Sequence, residues 1–259
     1  QHSWVKDFIK GARRLCPRLK DIHPIWNLQL VLQSLQADPF EPMVSGRLKW
    51  LTLKTVFIVA ITSAKRVGEL QALSSDPRYL QVSPEGVRLR LNPAFIPKVN
   101  TAENREAEIM LPPFDPSNAT RARNTLKFLC PVRAITRYLE ATRAFRKTDA
   151  LFVCYGAGDK KGYQASKPTI SRWVRTCIRE AYRAKNIQPP EGVKAHQTRG
   201  QAASWAQFNG ASLHDVCKSA TWTSQCTFAQ YYQLNLADRC STARFATRVL
   251  QSAVEHRPH

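Results

Sequence analysis

Residues 47–73 read RLKWLTLKTVFIVAITSAKRVGELQAL, and their pattern decides the fold. Between Arg47 and Ala64, apolar residues recur at helical spacing through Leu48, Leu51, Leu53, Val56, Phe57, Val59 and Ala60. That is the pattern of a helix buried in a core. A second helix is expected from near Lys65 through Leu73, and it opens on charge. Arg66 and Glu69 stand three apart, so both project to one side of the same turn. Alone, the spacing describes an ordinary intrahelical ion pair. The setting says more: a strongly apolar helix runs straight into an arginine, which positions that arginine for an anion.

Working outward, the segment DPFEPM (38–43) carries two prolines and marks a boundary before the core helix. Residues 1–45 read as a helix end, a connector holding Pro17 and Pro24, and a short amphipathic helix near 27–36. The chain opens QHSWVKDFIKGARR, without an initiator Met or the apolar stretch of a signal peptide, so it reads as part of a longer protein. Beyond the second helix the periodicity changes. YLQVS, GVRLRL and AEIMLP are short, partly alternating runs between turn residues, a small antiparallel sheet with the loop PKVNTAENRE inside it. Helix returns over 132–143, followed by a short strand, LFVCY (151–155), and a helix over 169–185. Further helices are expected near 195–208, 212–219, 225–233 and 238–251. The fold class is mainly α with one small antiparallel sheet (α+β).

The 259 residues carry 39 Lys plus Arg against 19 Asp plus Glu, a net charge of +20. Such a surplus attracts polyanions, nucleic acid first among them. Apolar residues make up 43%, enough for a true core. The longest apolar run, Val56 to Ile61, is far short of the roughly 18 residues that a membrane span needs, so no membrane partner is expected. The seven cysteines (Cys16, Cys130, Cys154, Cys177, Cys217, Cys226 and Cys240) are odd in number and widely spaced, with no CxxC pair. They read as reduced thiols in an intracellular setting. His214 and Cys217 share a spacing but do not make a metal site, and no metal is expected.

Three further fragments bear chemistry. In KAHQTRGQAASWA (194–206), His196 and Arg199 are three apart; an imidazole and a guanidinium on one face can both bind phosphate oxygens, and His can move a proton. HxxR by itself is frequent by chance. In SATWTSQCTFAQYYQLNL (219–236), Trp222 is followed by Tyr231 and Tyr232, of which one is expected to be core. A phenol, with an ordinary pKa of about 10, attacks poorly until positive charge stabilises its phenolate. Lys98, in the loop of the small sheet, is placed where an amine could protonate a leaving oxygen.

Taken in order, arginine with a following acid, β-loop lysine, HxxR, Trp and Tyr, the set resembles that of the tyrosine recombinases over roughly residues 47–251. More narrowly, DPFEPM, LTLKTVFIVAITSAKRVGELQAL, FIPKV, LFVCYGAGDKKG, KAHQTRGQAASWA and TFAQYYQLNL resemble the recombinases of DIRS-type retrotransposons. The resemblance implies the tyrosine recombinase catalytic-domain fold over residues 46–259. It makes residues 1–45 the end of an N-terminal core-binding region with its linker. Arg66 and Arg199 would clamp a DNA phosphate, His196 would bond a phosphate oxygen, Lys98 would be the general acid, and Glu69 would support Arg66. Trp222 stands where many relatives have His; its indole N–H donates but cannot accept a proton. The nucleophile is taken as Tyr232, with Tyr231 the alternative. The reaction implied is site-specific recombination or integration of a mobile element through a 3′-phosphotyrosyl bond, without cofactor, metal or ATP. The implied partners are double-stranded DNA and further copies of the chain, a tetramer exchanging a C-terminal helix at 237–254, in the nucleus. Type IB topoisomerase-like relaxation and a silent DNA-binding relic are the other readings.

Overall fold

Helix α3, Leu48–Ser63, is the spine of the molecule, and every residue from 51 to 60 along it is buried. A helix apolar on all sides needs neighbours on all sides. Helices α5 (Pro131–Thr142), α6 (Lys167–Arg183) and α7 (Gln197–Phe208) supply them. The polar residues inside α3 are satisfied within the fold. Thr52, Thr55, Thr62 and Ser63 each donate a hydroxyl hydrogen bond to the carbonyl four residues earlier. Lys54, fully buried, donates to Glu41 Oε1 at 2.5 Å and to the Leu35 carbonyl at 2.6 Å. Arg133 closes the group with two bonds to the same carboxylate, at 2.7 and 3.0 Å.

The computed structural model describes residues 2–15, 24–44, 47–97, 108–114, 126–222, 225–234 and 236. Helices α1 (Ser3–Leu15) and α2 (Leu28–Ser34) come first. Asn27 caps α2 by accepting from Leu30 N at 3.1 Å. The stretch 24–44 joins the main core through Trp26, Val31, Leu35 and Phe40. Helix α6 shows its register directly: Ile170, Trp173, Val174, Cys177, Ile178 and Ala181 are buried, one apolar stripe at helical spacing. Helices α8 (Leu213–Ser219) and α9 (Gln225–Tyr231) pack with α7 around a second, smaller cluster of Ala64, Ala203, Val216, Trp222 and Phe228.

The small sheet has the order β1 (Leu80–Ser83), β2 (Gly86–Arg90), β3 (Glu108–Leu111), antiparallel throughout. Its register pairs Leu80 with Leu89, Val87 with Leu111 and Leu89 with Ile109, and all five residues are buried on one face. The outer face carries Arg88, Arg90 and Glu108 as ion pairs. Gly86 turns the first hairpin at φ 139, and a Cβ there would lie 2.3 Å from the Leu111 carbonyl.

Two expectations need correction. The second helix does not begin at Lys65. Ala64 adopts the left-handed conformation, φ 51, which ends α3, and α4 starts only at Val67 and ends at Gln71. The run LFVCY is not a strand. Its backbone bonds are divided: Leu151 N goes to Leu73 O and Val153 N to the Tyr138 hydroxyl, while Cys154 N bonds Tyr163 O, Gly162 N bonds Cys154 O and Ala165 N bonds Phe152 O. Only isolated bridges form there, Ser74 with Ala150 and Val153 with Gln164, because the antiparallel contact with residues 162–165 is too short to make a ladder. The loop 98–107 and the expected helix over 238–251 lie outside the described residues.

Candidate active site

The break at Ala64 releases residues 64–66 from helix, and Arg66 becomes the N-cap of α4 in extended conformation, φ −70 and ψ 154. Glu69 then reaches back. Its Oε2 accepts from Arg66 N at 2.6 Å, and its Oε1 accepts from Arg66 Nη1 at 3.2 Å. The spacing of three thus yields a capping carboxylate as well as an ion pair.

The same carboxylate meets Arg199 from α7, whose Nη1 is 3.7 Å from Glu69 Oε2. Arg199 is 2% exposed. Its Nη2 donates to the Ala220 carbonyl, while Nε and Nη1 are buried with no hydrogen-bond partner among the described residues. Burial and then Arg66 lower its pKa to about 10, against the pull of Glu69 and Tyr232. A buried guanidinium with idle donors is unsatisfied as it stands, and an anion is the chemical class of partner that could satisfy it.

Aromatic rings complete the enclosure. The Arg199 guanidinium lies 4.7 Å from the Trp222 ring centre and 5.5 Å from that of Tyr232. Trp222 is packed between Phe228, at 5.5 Å, and Tyr232, at 4.6 Å. Its indole N–H is buried and, among the described residues, unpartnered. Thr221, just before it, holds φ 52 and donates to Glu69 Oε1 at 3.4 Å. Left-handed non-glycine residues therefore flank the cluster at Ala64 and Thr221, where the surrounding packing holds the strain.

The two tyrosines differ. Tyr231 ends α9 and is 60% exposed. Tyr232, the next residue, is half-buried against Arg199 and Trp222. Its backbone is tied to α7: Ser204 Oγ donates to Tyr232 O at 3.4 Å and accepts from Leu234 N at 2.9 Å. Gly200 makes the approach possible, since a Cβ there would stand 3.1 Å from Tyr232 O.

His196 precedes α7 and lines a cleft of about 250 Å³ with Tyr231, Tyr232 and Gly200. Partial burial, then Lys194, lowers its pKa, which favours the neutral imidazole. The structure therefore joins Arg66, Glu69, Arg199, Trp222 and Tyr232 in one chain of contacts and places His196 in the tyrosine cleft. Lys98 lies outside the described residues. Sequence reasoning missed Lys65. It is 5% exposed, and burial lowers its pKa to about 8, with Glu69 opposing and Arg199 and Arg66 adding to the fall. Its one signal was position, next to Arg66 at the end of an apolar helix.

Among the described residues there is no cluster of His, Cys, Asp and Glu suited to a metal ion. No protein-family model and no curated protein matches the chain. Solved structures do. The chain is similar to XerA recombinase (TM-score 0.51, 16% identity, covering 94% of this chain and 67% of that one). It is similar to XerH site-specific recombinase bound to its palindromic difH substrate after cleavage (0.53, 16%, 92% and 54%). A lambda integrase dimer bound to a COC′ core site is also similar (0.51, 13%, 92% and 57%). The chain thus spans 54% to 67% of the length of these proteins. With about half of its described residues helical, a three-stranded antiparallel sheet, and this likeness along nearly its whole length, the chain has the tyrosine recombinase catalytic-domain fold.

Proposed function

We propose that this chain is the catalytic part, residues 46–259, of a tyrosine recombinase or integrase of a mobile element, of the DIRS-like kind its motifs resemble. The observation that carries the reading is the contact chain Arg66–Glu69–Arg199–Tyr232: two guanidiniums share one carboxylate, and a phenol ring lies against the second. XerH and lambda integrase, which share the fold, are seen on DNA, and the +20 charge suits the same partner.

In this mechanism a DNA phosphate takes up the idle donors of Arg199 and the indole N–H of Trp222, with Arg66 on its open side. These donors stabilise the charge that builds on the pentacoordinate phosphorus, and each is worth roughly 100- to 1,000-fold in rate. Tyr232 attacks phosphorus, giving its proton to neutral His196. The bond to the 5′ oxygen breaks, and that oxygen takes a proton from Lys98. The 3′-phosphotyrosyl link retains the energy of the broken bond, so a 5′ hydroxyl of another strand reverses the step without ATP. Strand exchange needs further copies of the chain on the DNA, a tetramer, working in the nucleus.

The test is a nicked suicide duplex that loses its 5′ fragment and traps the covalent complex. Wild type and Tyr231→Phe should form the adduct, mapped by mass to Tyr232, and Tyr232→Phe should not. An adduct retained in Tyr232→Phe moves the nucleophile to Tyr231. No adduct in any form, with DNA still bound, sinks the enzymatic reading.

A further inference from the structure

His196 is a wall shared by two clefts. One holds the tyrosines; the other, of about 530 Å³, runs past Val67, Lys167, Ser171, Arg175 and Lys194. Its charge is of one sign, since no carboxylate lines it. None of Lys167, Arg175 and Lys194 forms an ion pair among the described residues, whereas Arg183, farther along α6, pairs with Glu180 at 2.9 Å. Cations that lie together without counter-charge leave an unbalanced positive field, and an anion is what lowers its energy.

The groove also abuts the candidate active site. Gly68, two residues from Arg66, has no side chain, and Lys167 lies across it: a Cβ on Gly68 would stand 3.4 Å from Lys167 Cε and 3.7 Å from Nζ. Phe95, on the segment leading toward Lys98, closes the same spot at 3.8 Å. On the other wall, Lys194 N donates to Gln197 Oε1 at 2.9 Å, which fixes the turn that carries both Lys194 and His196. The groove is thus held in place by α4, α6 and the start of α7, beside the residues that would take the scissile phosphate.

We propose that this groove binds a second phosphodiester of the same DNA strand, next to the one cleaved, with Lys167, Lys194 and Arg175 as its cations. The site rests on the recombinase reading for its position and adds to it a backbone register. A strand held at two successive phosphates cannot slide, so the attacked phosphorus is kept in line with Tyr232.

Fluorescence anisotropy of the full chain on a labelled duplex of about 30 base pairs, across a salt series, tests the charge. Each phosphate contact contributes about 0.9 to the slope of log affinity against log salt. The double variant Lys167→Gln/Lys194→Gln should bind about tenfold more weakly and show a slope lower by about 1 or more. A control that removes equal charge from the far part of α6, Arg179→Gln/Arg183→Gln, should lose less than half of that. Equal losses in the two doubles, or none in the first, overturn the groove. The suicide substrate tests the position: an uncharged methylphosphonate beside the mapped cleavage point should weaken wild type but not the groove double. If both are weakened alike, the groove does not hold that phosphate. A trapped adduct with an unchanged slope rejects the groove and leaves the recombinase reading standing. A lowered slope with no adduct in wild type rejects the recombinase reading instead.

Discussion

The carboxylate of Glu69 stands 3.7 Å from the guanidinium of Arg199 while it holds Arg66 at 3.2 Å, so one buried acid joins two arginines that are distant in the chain. Glu69 is 3% exposed, and Lys65 beside it is 5% exposed. Three cations thus converge on one acid. The cluster therefore carries an excess of positive charge, which the proposed DNA phosphate would offset.

Glu69→Gln keeps the shape and an acceptor for Arg66 N but removes the charge. We expect a loss of about 3 kcal/mol in urea unfolding, as for breaking a buried ion pair. Glu69→Ala should cost more, because the cap of α4 is lost too. An unchanged unfolding midpoint in Glu69→Gln would refute the linking role.

A substitution separates the packing of Trp222 from the phosphate contact proposed for its indole. Trp222→Phe preserves a ring for Arg199, Phe228 and Tyr232 to pack on and removes a buried N–H that has no partner among the described residues. Stability should change by less than about 1 kcal/mol, while the rate of adduct formation falls at least tenfold. Trp222→Ala should lose about 3–5 kcal/mol. Equal adduct rates in wild type and Trp222→Phe would remove the indole from the chemistry.

Gly200→Ala tests the seat of Tyr232, the proposed nucleophile. Alanine in a helix ordinarily gains up to about 1 kcal/mol over glycine. Here the added methyl meets Tyr232 O at 3.1 Å, so the gain should be offset and the melting temperature should barely move. Trapping should slow severalfold as the tyrosine segment shifts. A more stable protein with undiminished trapping would show that the close approach has no role.

In the core, the Lys54–Glu41–Arg133 group predicts an asymmetry. Burial would raise the Glu41 carboxyl, but the bonds from Arg133 and Lys54 outweigh it and hold the group below its usual range. Glu41→Leu strands a fully buried ammonium with only the Leu35 carbonyl, and should cost about 3–5 kcal/mol. Lys54→Met leaves Glu41 its two bonds to Arg133 and should cost much less. Denaturation of the two variants side by side decides it; equal losses count against the scheme.

Lys65 sets a pH dependence. Its folded pKa, about 8, lies below the ordinary 10.5, so the unfolded chain binds its proton more tightly. The penalty is present in full below about pH 8 and is relieved as pH rises toward 10.5, a gain of up to about 3 kcal/mol. Burial lowers Lys54 as well, so the comparison is with Lys65→Met, in which this part of the rise should vanish. Parallel stability–pH curves for the two proteins would contradict it.

Much of this molecule is written in local pattern. The unbroken apolar run Val56 to Ile61 in α3 requires burial whatever surrounds it, and the strand register follows from alternation between β2 and β3. Arg66 and Glu69 were visible as a pair because a helical turn sets their spacing. Three readings needed more than pattern. The helix break at Ala64 depends on an alanine held left-handed by its neighbours, for which no residue type signals. LFVCY looks like a strand because apolar runs look alike; whether one pairs depends on what lies beside it. Lys65, Lys167 and Lys194 are ordinary lysines until burial and position distinguish them.

The sequence by itself determined the fold class, most of the helices, the small sheet and the order in which candidate residues occur, since these follow from periodicity and residue chemistry along one chain. Only the tertiary structure decided that Glu69 touches Arg199, that Tyr232 and not Tyr231 lies against it, and that a basic groove adjoins them. Each is a contact between segments far apart in the chain. Such contacts are fixed by how helices pack, and periodicity shows which face of a helix is buried but not which distant segment it meets.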